Sequence, residues 1–148
     1  MYRHILIPTD GSPLATKGLD HGLALAKALQ AKVTIVTVTE MWSAFAISHE
    51  VRLGRPNPLA SFEEKAIQAS NRILEAAAEK AAAAGVDSTT VHIADMAAAE
   101  GILHAAGQHG CDLIVMASHG RRGIRRLMLG SQTAEVATQA DVPVLVVR

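Results

Sequence analysis

The stretch DLIVMASHGRRGIRRLMLGSQTAEV, Asp112 to Val136, decides how this chain is organised. It opens with an apolar run of strand length, Leu113 to Ala117. A turn-prone segment follows, Ser118-His119-Gly120-Arg121-Arg122-Gly123, and Gly130-Ser131 then leads into QTAEVATQA, which reads as a helix. Strand, glycine-bearing loop, basic linker and helix start thus fall within about one βα unit. Glycine lets a backbone approach a ligand, and a helix N-terminus presents unpaired N–H groups at a positive dipole end. Two such devices close together grip a chain of phosphates, so the stretch is read as a nucleotide pocket.

Working outward, the chain opens with Arg3 to Ile7, an apolar run ending at Pro8 that reads as a buried strand. Ser12 is placed to cap the next helix, with Pro13 at its first position. That helix runs to Gln30, with Leu19, Leu23 and Ala26 on one broad arc opposite Lys17, Asp20 and Lys27. Lys32 to Thr39, β-branched throughout, reads as a second strand. Met41 to Leu59 is read as one long loop, since Gly54-Arg55-Pro56-Asn57-Pro58 speaks against a regular element. Within it Trp42 and Phe45 are expected to seal the sheet edge rather than cover a ligand.

Ser61, with Glu64 three residues on, reads as the capping box of a long helix. Phe62, Ala66, Ala69, Ile73, Ala77 and Ala84 are its expected buried stripe, and Gly85 its left-handed stop. Thr89 to Ala94 reads as a third strand, and Asp95 as the cap of a helix to about Gln108 with Ile102, Leu103 and Ala106 inward. Pro143 to Val147 closes the chain as a fifth strand. Strands separated by helices imply a parallel sheet with right-handed crossovers, and the whole chain, 1–148, reads as one α/β domain.

Composition narrows the function. Aromatics make up 3% of a chain that is 49% apolar, so the core must be aliphatic and alanine-rich. A formal net charge of zero argues against a general nucleic-acid binder. Four of the nine arginines nevertheless fall between Arg121 and Arg126, as at a local anion site. Cys111 is the single cysteine, which excludes an internal disulfide and reads as a buried, inert thiol. The opening segment is too short in apolar residues for a signal peptide, and no run approaches membrane-spanning length. A soluble, cytoplasmic protein without membrane or nucleic-acid partners is expected.

In an open α/β sheet, ligands bind beyond the carboxyl ends of the strands, where the strand order reverses. If strands 1 and 4 are central neighbours, Pro8 to Ser12 and Met116 to Gly123 converge there. Asp10 then faces the glycine loop, either as an acceptor for a nucleotide's ribose or base, or as a helix-start residue competing with Ser12. Position alone leaves both open. Gly120-x-x-Gly123 and Gly130-Ser131 are weak signals singly; Gly120 and Gly130 separated by nine residues form a stronger one. Arg121, Arg122, Arg125 and Arg126 read first as a solvated face, with at most one or two of them expected to reach phosphate. His119 is the one histidine of seven in the pocket, and no nucleophile–base pair or metal-ligand cluster is evident.

ILIPTDGSP at the start, VMASHGRRGIRRLMLGS in the second half and PVLVVR at the end resemble the universal stress protein family, in order and spacing across the chain. The resemblance implies a five-stranded parallel sheet of order 3-2-1-4-5 with helices on both faces, Rossmann-like. Nucleotide-binding members carry glycine, two residues, glycine, nine residues, then glycine with serine or threonine. Here that pattern falls on Ala117, Gly120 and Gly130-Ser131, with Ala117 where the pattern has glycine; the extra methyl is expected beside the phosphates or ribose. The resemblance implies ATP or AMP, with or without Mg, and adenine contacts from Pro8, Thr9, Asp10 and Val38.

The expected site adds Ser12, Met116, His119, Arg121, Gly123, Gln132 and Thr133 to these. The resemblance also implies a homodimer through the strand Val144–Val147. The function expected is a stress-related regulatory protein with at most slow ATP hydrolysis. A dimeric interaction module without nucleotide is the alternative. An adenylating enzyme is disfavoured, because Thr9-Asp10-Gly11-Ser12-Pro13 does not match the serine- and glycine-rich loop such enzymes place after strand 1.

Overall fold

The computed structural model describes residues 1–120 and 128–148. Along them run β1 (His4–Pro8), α1 (Pro13–Leu29), β2 (Lys32–Thr39), α2 (Ala44–Arg52), α3 (Pro58–Ala84), β3 (Ser88–Ala94), α4 (Ala98–His109), β4 (Leu113–Ala117), α5 (Ser131–Gln139) and β5 (Val144–Val147). The strands form one parallel sheet of order β3-β2-β1-β4-β5, the order expected from the sequence. β1 and β4 are therefore central neighbours, with Ile5 opposite Leu113 and Leu6 opposite Ile114.

A strand covered on both faces needs apolar residues of both parities. Ile5, Leu6 and Ile7 of β1 are all fully buried. Ile5 and Ile7 join Val33, Ile35 and Val115 under α1 and α3, while Leu6 joins Val36, Ile114 and Met116 under α4 and α5. Among the described residues no helix is long and apolar enough to cross a membrane.

Five expectations are corrected. Met41–Leu59 is not one loop: Ser43 accepts a hydrogen bond from the Ala46 N–H and caps α2, and α3 already begins at Pro58. The cap of α3 is Asn57, whose Oδ1 takes the Ala60 N–H, with Pro58 at the first helical position. Ser61 lies inside α3 instead and donates to Glu50 at 2.8 Å. The fully buried stripe of α3 is Ser70, Leu74, Ala77 and Ala81; of the expected members Ala77 is buried, Phe62, Ala66, Ile73 and Ala84 are half-buried, and Ala69 is exposed. Asp95 does not cap α4 but sits in the left-handed region at φ 60°, and Ala97 is the cap residue. Trp42 and Phe45 are exposed and seal no sheet edge.

Far from the ligand end, His4 is buried beside Cys111, and its Nε2 lies 2.8 Å from the Thr34 hydroxyl. Burial pushes the Cys111 thiol up to about 11, which keeps it inert as expected. Burial, followed by the nearby charge of Lys32, holds His4 below its ordinary 6.5. Between those values the unfolded chain binds the extra proton and the folded one does not, so stability falls as pH drops below 6.5. Urea midpoints should therefore decrease from pH 7.5 to pH 5.5. In His4→Gln, where no proton is taken up at this position, the decrease should shrink; an unchanged decrease would refute the assignment.

Candidate functional site

The crevice is built at the carboxyl ends of β1 and β4. The chain leaves β1 through a turn held at both ends. Thr9 donates its N–H to Val36 O at 2.9 Å, and the Thr37 hydroxyl donates to Thr9 O at 2.6 Å. Asp10 Oδ1 accepts the Ser12 N–H at 2.9 Å, and Ser12 Oγ in turn caps α1 by accepting from Ala15. Asp10 thus does not compete with Ser12 for the cap; it shapes the turn before it. Gly11, at φ 75°, takes the left-handed step that the turn requires.

Opposite, β4 delivers Ser118 and His119. Ser118 donates its N–H to Val147 O, and its own carbonyl accepts the Gly130 N–H, both at 2.8 Å. Ser118 Oγ lies 2.9 Å from His119 Nδ1 and fixes that ring. The Thr133 hydroxyl donates to Ala117 O at 3.0 Å. Gly130 and Thr133 therefore pin the first turn of α5 onto the end of β4. The first intrahelical donor of α5 is Ala134, to Gly130 O, so the N–H groups of residues 131–133 come before the helix's own ladder.

The two halves meet closely. A Cβ on Gly120 would lie 2.6 Å from Asp10 Oδ2, so any side chain there would displace the carboxylate. A Cβ on Gly130 would lie 3.2 Å from Ser118 O and 3.4 Å from the His119 Cα. Asp10, His119 and Gly130 are half-buried, while Gly120 and Ser131 are exposed: a polar mouth over a buried floor of Thr9, Ser118 and Thr133. Acceptor, glycine edge and helix N-terminus converge here, which is the arrangement suited to a ribose and a phosphate chain.

Not every expected residue reaches this mouth. Ser12 and Thr133 are buried, each using its hydroxyl within the frame. Gln132 Oε1 accepts the Ala99 N–H at 2.8 Å and so caps α4, whose own cap residue, Ala97, offers no side-chain acceptor. Met116 and Ala117 are buried in β4. Ala117 pairs with Val147, which packs in the α1–α3 layer, so the alternation of β4 turns the Ala117 methyl toward that face. Val38 is half-buried at the end of β2, with α4 against it: a Cβ on Gly101 would lie 2.7 Å from Val38 Cγ1. Pro8 ends β1. Arg121 and Gly123 lie outside the described residues.

Sequence reasoning overlooked Ser118, whose two backbone bonds organise the mouth. It also overlooked the contact from Gln132 to α4. The signal for the latter was an Ala-rich helix start with no capping side chain of its own.

Comparisons agree on the relatives. The family described as the universal stress protein family matches residues 1–148. The chain is 34% identical to the universal stress protein YxiE of Bacillus subtilis over 149 aligned positions, covering all of both chains. Among solved structures, protein MJ0577 of Methanocaldococcus jannaschii superposes with a TM-score of 0.76 at 26% identity, over 99% of this chain and 96% of that one. A universal stress protein from Archaeoglobus fulgidus in complex with dAMP superposes with a TM-score of 0.73 at 17% identity, over 99% and 98%.

Proposed function

We propose, of a chain that belongs to the universal stress protein family, that it binds an adenine nucleotide in the crevice between β1 and β4 and acts as a stress-response regulator. The observation that carries this reading is the approach of Asp10 Oδ2 to Gly120 beside the pinned N-terminus of α5. The dAMP bound by the Archaeoglobus fulgidus relative supports the adenine class. Asp10 would accept from the ribose and Val38 would flank the base. The N–H groups at Ser131 and Gln132, with the Ser131 hydroxyl, would hold phosphate. A magnesium ion would enter with a triphosphate, since among the described residues no group of three or more His, Cys, Asp or Glu is gathered to hold a metal. Hydrolysis of ATP would be slow at most, as the sequence, without a nucleophile–base pair, suggests.

The alternative, a module without nucleotide, drew on Ala117 standing where the family pattern has glycine. A methyl directed to the α1 face does not obstruct the crevice, which favours the binding reading. Two measurements test it. Purified protein, denatured, should release an adenine nucleotide or, if isolated empty, should bind ATP or AMP by calorimetry. Asp10→Asn keeps an acceptor for the Ser12 N–H but replaces the oxygen facing Gly120 with a donor. Affinity should fall by about 1–3 kcal/mol, or roughly five- to 150-fold, with little change in melting temperature. A stable variant with unaltered affinity would remove Asp10 from the site.

The same reading includes a homodimer. β5 lies at the edge of the sheet, apolar along its length, and an open edge of that kind recruits a further strand. A twofold copy laid antiparallel along Val144–Val147 closes it, with the two crevices away from the seam.

A further inference from the structure

α2 stands outside both cores and packs on the first turns of α3, ahead of the core residues Leu74, Ala77 and Ala81. The one buried residue of α2 is Glu50, 4% exposed, which accepts from Lys65 at 2.6 Å and from Ser61 at 2.8 Å, with Arg55 at 3.8 Å. This cluster latches α2 onto α3, and Lys65 and then Ser61, donating to Glu50, hold its carboxyl below the usual range. Beside the latch a groove opens, a cavity of about 390 Å³ walled by Phe45, Ala46, Phe62 and Ala66. Beside it apolar side chains stand in water: Phe45 is 77% exposed, and Met41, Trp42 and Leu53, in the segments flanking α2, are exposed too. Exposed apolar side chains grouped along one short segment mark an interaction site.

Charge selects the occupant. Between residues 41 and 58 the only acid is Glu50, which is buried and paired, while His49, Arg52 and Arg55 are exposed. On α3, Lys65 stands half-exposed over the groove, and Arg72 follows two turns along the same stripe. Glu63 and Glu64 are turned away from Lys65 by the helical spacing. The groove is thus apolar at its floor and basic at its rim. A bilayer meets convex apolar protrusions, whereas a concave slot takes an inserted side chain. A second copy in twofold contact would set one basic rim against the other.

We propose that this groove docks an acidic, amphipathic helical segment of a partner protein, one apolar anchor filling the Phe45–Phe62 slot and carboxylates meeting Arg52, Arg55 and Lys65. The test is a selection from a displayed library of random 16-residue peptides against the full chain. Enriched sequences should combine Leu, Phe or Trp at helical spacing with Asp or Glu. A synthetic peptide from that set should shift the emission of Trp42, the only tryptophan. It should bind Phe45→Asp and Arg52→Glu at least about tenfold more weakly, about 1.4 kcal/mol. Phe45 and Arg52 are exposed, so both variants should fold, as circular dichroism would check. No enrichment, sequences without acidic bias, or equal binding to Phe45→Asp would overturn the proposal. So would an equal Trp42 shift on phosphatidylcholine–phosphatidylglycerol vesicles, or dissociation of an oligomer by Phe45→Asp in light scattering.

Discussion

Replacing Gly130 by valine is expected to abolish adenine-nucleotide binding, a loss of at least about a hundredfold or ~3 kcal/mol, while leaving the fold intact. Gly130 caps α5 at φ −58° and ψ 150°, a conformation open to any residue, so the effect is steric and local. Its Cβ position lies 3.2 Å from Ser118 O and 3.7 Å from His119 Cδ2, already tight for a methyl. Two further methyl groups must press on His119 or occupy the mouth before Ser131. Gly130→Ala, which adds only the first methyl, should lose less. Calorimetry and circular dichroism on the two variants decide the matter: valine with full affinity and native secondary structure would place the phosphates elsewhere.

A proline at Val146 is expected to release monomers, halving the mass seen in light scattering. The Ile114 N–H bonds to Pro143 O at 3.0 Å and the Ser118 N–H to Val147 O at 2.8 Å. Residues 143 and 147 therefore turn their backbone groups toward β4, and alternation turns those of Val144 and Val146 to the open edge. Proline at Val146 removes a donor that serves only a neighbour beyond that edge, so the parallel ladder to β4 should persist. Wild-type monomers at micromolar concentration, or a dimeric Val146→Pro, would dismiss the assembly.

The parts of the fold legible in the sequence were those where local chemistry and burial agree. The β-branched run Lys32 to Thr39 is β2 at the expected bounds, and Ser12-Pro13 starts α1 as capping preferences dictate. The strand order came from the family resemblance, and it agrees with a switch point between strands 1 and 4. Illegible stretches were those whose structure depends on a distant partner. α2 has no buried apolar residue, and its hold on α3 runs through Glu50, Ser61 and Lys65, which no periodicity reveals. Asn57-Pro58 was weighed as a breaker although it is also a helix-start pair, so the start of α3 was set too late. At the site, Gly120 and Gly130 were legible as glycines but Gln132 was not, because its partner, Ala99, lies 33 residues away.

The order β3-β2-β1-β4-β5 also orders events while the chain is being made. β1 is synthesised first and gains β2 soon afterwards, but its other neighbour, β4, begins only at Leu113. At roughly 5–20 residues per second, a bare edge of Ile5, Leu6 and Ile7 faces solvent or a chaperone for several seconds. Gly130 and Thr133 emerge later still. The crevice is therefore assembled last, and the nucleotide proposed for it could reward folding only after α5 has left the ribosome.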